Sequence, residues 1–384
     1  MLANAKTETA YFDRTFFWLS ASLIGFGLVM VYSSSIAEAE SLKQSGGDTF
    51  YFLFRHLLAL GIGIFLAAAA TQFPLRFWQP IAPYLFGFAL VLLVLVLIPG
   101  IGYEANFSRR WFRFLGFSFQ PSELMKVAVV LYAADYTVRK ASDMSKIRKG
   151  FLPLFAVMSV TGALLLLEPD FGAFVVITFI ALGVLFLGGM NWRLFVVLLI
   201  MLVIGFVILI YSSDYRMQRV LGFLNPWEDP FGRGGYQLTH ALMAFGRGGL
   251  FGVGLGGSVE KLFYLPEAHT DFILAVVGEE LGFLGVAITI TAFAWLVFKM
   301  VAIGNQAARL ERYYPALVAQ GAALWLGAQA FINMGVNVGM LPTKGLTLPL
   351  LSFGGSGLMM NCLVLGIVAR IDIENRQLLR GVNF

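Results

Sequence analysis

The chain has one cysteine, Cys362, and only three histidines, His56, His240 and His269. A lone thiol excludes an intrachain disulfide and a thiolate metal cluster. Histidines this far apart give no histidine metal motif. Charge is also scarce: Asp, Glu, Lys and Arg make up 13% of the 384 residues, where a soluble domain has about a quarter. Hydrophobic residues take their place, at 59%, which is the composition of an integral membrane protein. The apolar runs are long and continuous, so a transmembrane barrel, built of short alternating segments, is excluded. The net charge of +5 says little about nucleic acid, because basic residues in such a chain follow membrane topology. Residues 1–15 are polar and mixed in charge. The first apolar run is long enough to span, so a retained helix is expected there rather than a cleaved signal.

Ten runs approach the roughly 20 residues that cross a bilayer: 16–36, 52–71, 81–98, 121–138, 151–167, 171–190, 194–211, 271–301, 316–340 and 350–371. The fourth contains Glu123, Lys126 and Asp135, and the tenth opens glycine-rich. Lys and Arg concentrate in alternate loops, most clearly over 139–149, which puts those loops and both termini in the cytoplasm. The expected fold is an all-α integral membrane protein of ten transmembrane helices. A membrane domain over 16–373 is flanked by cytoplasmic tails 1–15 and 374–384, and a large extracytoplasmic loop, 212–270, joins helices seven and eight.

Chemistry concentrates on the outward side. The stretch YLPEAHTDFILAVVGEELGFLG begins polar, with Glu267, His269 and Asp271, then carries Glu279 and Glu280 into an apolar run. Helical spacing places Asp271 and Glu279 near one face. Acids within hydrocarbon usually face a bundle interior or a cavity and are functional candidates. The alternative is that Asp271 caps the helix while Glu279 and Glu280 pair with neighbouring cations. Upstream, GIGYEANFSRRWFRFLGFSFQ interleaves Arg109, Arg110 and Arg113 with aromatics. Cations on the outward side oppose the positive-inside trend and suit an anion such as a lipid phosphate, the alternative being snorkelling at an aromatic belt. Glu123 and Lys126 stand one helical turn apart and can pair. The loop 212–270 is too long for a plain connector; short interfacial helices are expected within it. Its glycines at 246–257 permit close backbone approach to a ligand. Gly252, Gly254 and Gly257 read as GxGxxG, but no strand precedes them, so a dinucleotide site is rejected. Near the end, Asn333 and Asn337 form a polar face one turn apart, followed by a Pro- and Gly-rich turn with a lone cation, Lys344. Small residues such as Gly278, Gly282, Gly285, Gly321, Ala322 and Gly327 permit close helix contact, either within the bundle or with a partner.

These motifs, RRWF with QPSELMK, EPDFG at 168–172, GYQLTHALMAFGRGGLFGVGLG, LPEAHTDFILAVVGEELG and LPTKGLTLPLLSFGGSG, resemble the SEDS (FtsW/RodA/SpoVE) family of bacterial peptidoglycan glycosyltransferases over nearly the whole chain. TKGLTLP and AFGRG are similar to the cell-division members rather than the elongation members. Phe353 stands where the family's pattern has Tyr. The resemblance implies polymerisation of lipid II at the division septum of the inner membrane. An acceptor sugar 4-hydroxyl displaces undecaprenyl pyrophosphate from the donor's anomeric carbon with inversion. Such a step needs a base, cationic clamps and an apolar groove. The resemblance implies Asp271 as the catalytic base, and Arg110, Glu123, Lys126, His269, Glu279, Lys344 and Ser352 as substrate-binding residues. It also suggests a divalent cation, Mg2+ or Mn2+, on the pyrophosphate, with no dedicated metal motif in the sequence. The implied partners are a class B penicillin-binding transpeptidase and other membrane proteins of the division machinery. A lipid II flippase is the competing reading, with the intramembrane charges lining its path. A scaffold that only anchors the transpeptidase is a third, which leaves those charges unexplained. Crowding of the polar motifs on one face favours the enzyme.

Overall fold

A computed structural model describes residues 12–42, 46–105, 108–114, 117–144, 146–212, 214–228 and 235–381. Most of the N-terminal tail and the segment 229–234 of the outward loop lie outside the described residues. The helices are α1 (Arg14–Ser41), α2 (Tyr51–Gln72), α3 (Leu75–Leu97), α4 (Pro121–Arg139), α5 (Leu152–Leu167), α6 (Phe171–Leu187), α7 (Trp192–Tyr211), α8 (Asp214–Leu224), α9 (Tyr236–Gly248), α10 (Ile273–Arg309), α11 (Tyr313–Asn337) and α12 (Gly355–Leu379). Each of the ten expected runs falls on one of these helices. Among the described residues seven segments are long and apolar enough to cross a membrane: α1, α2, α3, Ile147–Leu167, α10, α11 and α12. Phe171–Leu187 and Trp192–Gly205 are shorter apolar helices. The loop 212–270 holds α8 and α9, the short helices expected there.

The fold is not purely helical. Between α3 and α4 the chain forms an antiparallel sheet in the order β1 (Tyr103–Ala105), β2 (Ser108–Phe114), β3 (Phe117–Phe119). The residues read above as an Arg-aromatic loop are therefore strands. Aromatics suit a pleated surface, and strand alternation sends Arg109 and Arg113 to the face opposite Arg110. Arg109 pairs with Glu104 at 2.9 Å, and Arg113 lies 4.4 Å over the Tyr103 ring. Arg110 is thereby left to face the bundle.

The charged helix α4 is tolerated because it lies inside. It packs against α3, α6, α11 and α12, and its charges are paired, Glu123 with Lys126 at 2.7 Å and Asp135 with Arg139 at 2.7 Å. Buried charges without such partners would be strongly destabilising. At the end of the bundle where α1 starts and α12 finishes, Asp13 pairs with Lys299 at 3.0 Å, Asp372 with Arg376 at 3.0 Å, and Glu374 with Arg312 and Arg370. Glu374 also accepts the Leu75 amide at 3.0 Å. That remote cap is why α3 starts before the expected run.

The axis of α10 is broken at Gly282, whose φ of 67° is left-handed. The break frees backbone groups that must be satisfied within the protein. The glycine-rich segment after α9 does this: Val253 and Gly254 donate to the carbonyls of Glu279 and Glu280, and Phe283 and Leu284 donate to those of Gly249 and Leu250. A Cβ at Gly252 would meet the Glu280 carbonyl oxygen at 2.1 Å, and one at Gly282 would meet the Gly252 nitrogen at 2.4 Å. The backbone these glycines approach closely is therefore α10 itself and not a ligand. The other small residues also face inward. A Cβ at Gly278 would strike Phe245, one at Gly321 Val184, and one at Gly327 Val297. These three pack against side chains of neighbouring helices.

Candidate active site

Asp271 lies just outside α10, whose first residue is Ile273. Helical face counting therefore does not apply from Asp271 to Glu279, and the two carboxylates have different surroundings. The Asp271 carbonyl accepts hydrogen bonds from Asn333 Nδ2 at 2.8 Å and Asn337 Nδ2 at 2.9 Å. Its carboxylate is half-buried and stands against Gly345. Burial pushes this carboxyl up to about 7, the Glu267 charge adds to the push, and His269, Arg219 and Arg110 oppose it. A carboxyl of that acidity is suited to take a proton near neutral pH.

Cations converge on the same end of the bundle. Arg110 is held by the turn between α5 and α6: Nε donates to the Glu168 carbonyl at 2.9 Å and Nη2 to that of Pro169 at 2.6 Å. That turn is fixed by Asp170, which caps α6 through the Ala173 amide at 3.1 Å and accepts from Gln120 at 2.8 Å and Ser122 at 3.0 Å. Glu168 is fully buried with neither carboxyl oxygen hydrogen-bonded. Burial first, then the Asp170 charge, raises it to about 9 against the pull of Arg110, so it is neutral at pH 7. Lys344 Nζ lies 3.7 Å over the Phe171 ring at the start of α6. Arg219 on α8 reaches the Thr343 carbonyl at 3.4 Å.

Lys126 and Glu123 are buried on α4. Lys126 Nζ donates to Glu123 at 2.7 Å and to Gln329 at 2.9 Å, and lies 5.3 Å over the Trp325 ring. Gln329 also accepts from Trp325 at 2.9 Å and donates to the Thr347 carbonyl at 3.0 Å. Gln329, Asn333 and Asn337 recur every four residues, one face of α11. This polar stripe connects the Glu123–Lys126 pair to Asp271 by way of the loop that carries Lys344.

Of the expected site residues, Asp271, Arg110 and Lys344 thus share one end of the bundle, with Glu123 and Lys126 tied to it through α11. The other three are occupied by the protein. Glu279 accepts from Arg247 at 2.6 Å, Ser258 at 2.5 Å, the Val259 amide at 2.9 Å and the Glu260 amide at 3.3 Å. It anchors the segment from α9 to Glu260, and a fully buried carboxylate needs such donors. Glu280 is likewise taken, by Lys261 at 2.6 Å and Ser33 at 2.8 Å. The ion-pair alternative therefore describes both glutamates. Ser352 Oγ accepts the Leu348 amide at 2.8 Å and shapes the turn before α12. His269 Nδ1 lies 3.0 Å from Glu38, its ring packs on Phe52 and Phe353, and its carbonyl accepts the Phe353 amide. Its charge reaches Asp271, but its ring is engaged elsewhere.

Two residues escaped the sequence reading. Arg219 lies in a helix with no spacing signal toward Asp271, and Gln329 in an apolar run. Only Gln329's four-residue spacing from Asn333 marked it. Among the described residues no three His, Cys, Asp or Glu side chains group as a metal site.

The sequence profile described as cell cycle protein, which groups FtsW, RodA and SpoVE, matches residues 14–377. The chain is 59% identical over 369 residues to the probable peptidoglycan glycosyltransferase FtsW of Aromatoleum aromaticum, covering 96% of this chain and 90% of the relative. It is 54% identical over 371 residues to the probable peptidoglycan glycosyltransferase FtsW of Burkholderia thailandensis, covering 96% and 80%. Among solved structures it matches a chain from a peptidoglycan synthase complex, described as coordinating polymerization and crosslinking, with a TM-score of 0.77 and 29% identity over 95% of this chain and 99% of that one. It also matches the rod shape determining protein RodA of Thermus thermophilus, with a TM-score of 0.67 and 29% identity over 95% and 97%. The profile spans nearly the whole chain and the relatives agree with it, so the chain belongs to the FtsW/RodA/SpoVE family.

Proposed function

We propose that this membrane-embedded peptidoglycan glycosyltransferase polymerises lipid II at the outer face of the inner membrane, at the division septum. Asp271 takes the proton of the acceptor hydroxyl as its oxygen attacks the donor's anomeric carbon. Undecaprenyl pyrophosphate leaves from the opposite side of that carbon, so an α linkage becomes β. Arg110, Lys344 and Arg219 stabilise the negative charge that builds on the diphosphate. Arg110 is already aimed by two backbone carbonyls and loses little freedom on binding. Lys126 and Glu123 hold the α4–α11 wall of the groove. The observation that carries this reading is the half-buried Asp271, its backbone carbonyl held by α11, standing with Arg110, Arg219 and Lys344 at one end of an apolar bundle. Ten membrane crossings, with both termini cytoplasmic, put that end outside. A divalent cation enters, in this reading, with the diphosphate of the substrate.

The partner is a class B penicillin-binding transpeptidase whose membrane helix docks on α10 and α11 and whose outward domain rests on the 212–270 loop. Support comes from the likeness to a chain of a synthase complex and from exposed apolar side chains on α10, Phe283, Ile288 and Phe298. The deciding experiment incubates the purified chain with lipid II, with and without the transpeptidase, and resolves the products. Glycan polymer without any added transglycosylase is the expected result. Lipid II crossing vesicles unpolymerised would replace the enzyme by a transporter.

A further inference from the structure

Asp271 precedes the first residue of α10, so no helical hydrogen bond fixes its backbone. Two amides of α11 do so instead. Asn333 Nδ2 donates to the Asp271 carbonyl at 2.8 Å and to the Leu346 carbonyl at 2.6 Å. Asn337 Nδ2 donates to the Asp271 carbonyl at 2.9 Å, while its Oδ1 accepts the Ala275 amide at 3.1 Å. The Ala275 amide, in the first turn of α10, is shared between Asn337 Oδ1 and the Phe272 carbonyl at 3.0 Å. Asn337 therefore caps α10 and clamps Asp271 with the same side chain. Both asparagines are buried, at 1% and 0% exposure, so the clamp is dry and rigid.

The other side of Asp271 is bounded by Gly345. A Cβ there would stand 3.1 Å from Asp271 Oδ2 and 4.0 Å from its Cγ, with no other contact within 4 Å. The φ of Gly345 is not left-handed, so the backbone itself does not call for glycine. A side chain there would press on that carboxylate oxygen and displace it by a few tenths of an ångström. From these contacts we infer that Asn333 and Asn337 are positioning residues that fix where the Asp271 carboxylate stands, and that position 345 is glycine to admit it. Misplacing a reacting group by ~1 Å costs on the order of 10²-fold in rate, which makes such a clamp worth its buried polar groups. The inference rests on Asp271 being the base.

The test uses the full-length chain in lipid nanodiscs with lipid II as substrate. It compares Asn333→Ala, Asn337→Ala and Gly345→Ala with the parent chain and with Asp271→Asn. Each of the three is expected to lower kcat by about 10-fold or more with KM for lipid II changed by no more than about 3-fold. Gly345→Ala is also expected to move the midpoint of the acid limb of the pH–rate profile. A purely structural role would lower yield and thermal midpoint but leave kcat per folded molecule and that midpoint unchanged. Should the asparagine variants fail to fold, Gly345→Ala still decides, because its methyl group meets only Asp271. Infrared titration of 13C-labelled aspartate then follows the Asp271 carboxyl without turnover, assigned by its loss in Asp271→Asn. A shifted band or midpoint in Gly345→Ala supports the inference. Parent-like kcat, pH midpoint and infrared band in Gly345→Ala overturn it while leaving Asp271 as base. Parent-like polymerisation by Asp271→Asn overturns the base itself, and the infrared titration remains the readout of the clamp.

Discussion

Asp271 and Glu279 belong to one short stretch of chain, and their surroundings are opposite. Glu279 is fully buried and accepts from four donors that all belong to the loop it anchors. Asp271 is half-buried, faces a glycine, and only its backbone carbonyl is held by α11. A carboxylate whose lone pairs are taken by four donors has little capacity left for another partner. A carboxylate denied such donors has its proton affinity raised and becomes a candidate base. The number of acids in a membrane helix therefore says less about a site than the number of donors that reach each of them.

The comparison breaks most readily by exchange of function. Asp271→Asn is expected to reduce polymerisation of lipid II by about 10²-fold or more with the fold intact. Glu279→Gln, in contrast, is expected to act on stability, on the order of 3 kcal/mol as for one half of a buried ion pair. Thermal unfolding in detergent read beside the polymerisation assay separates the two, and a stable, inactive Glu279→Gln would erase the contrast. A second break uses pH. The Asp271 carboxyl is pushed up to about 7, and as the proposed base it would act only when deprotonated. The rate should rise with pH through neutrality and level off above it, and a rate flat from pH 5 to 8 would remove Asp271 as the titrating group.

A smaller effect concerns Arg110. Its Nε and Nη2 reach two carbonyls at once, a fork that lysine cannot reproduce. Arg110→Lys should cost about 10-fold in kcat/KM, as expected for a weakened charge-assisted contact. Full activity in that variant would show that charge alone suffices. The smallest effect sharpens the comparison with a third carboxyl. Glu168 is held at about 9, above its ordinary 4.5. The unfolded chain therefore loses that proton first, and folding stability falls as pH rises from 4.5 toward 9. Glu168→Gln keeps the neutral shape, so it should leave polymerisation unchanged and flatten that decline. Thermal midpoints at pH 6 and pH 9 check it, and a steeper decline in Glu168→Gln would contradict the neutral state.

Much of this was legible from residue order. Apolar runs located every long helix, because burying some 20 residues in hydrocarbon leaves little choice of structure. Arg110 and Asp271 stood out as charges on the outward side. The sheet was not legible, since Arg-aromatic alternation reads equally as a membrane-belt loop until β1 and β3 pair with β2. Nor was the role of the 246–257 glycines. They indicate that backbone can come close, not whose backbone, and at Gly248 and Gly252 it proved to be that of α10. The internal partners of Glu279, His269 and Ser352 were not legible either, because sequence does not say how many donors reach a side chain.

Composition and hydropathy alone determined that the chain is a helical membrane protein, because the solvent enforces that at every position separately. Which acid stays available was decided only by tertiary structure. That depends on the break at Gly282, the loop drawn onto Glu279, and the two α11 amides under Asp271. These are contacts between residues far apart in sequence, and no local pattern encodes the distance at which they meet.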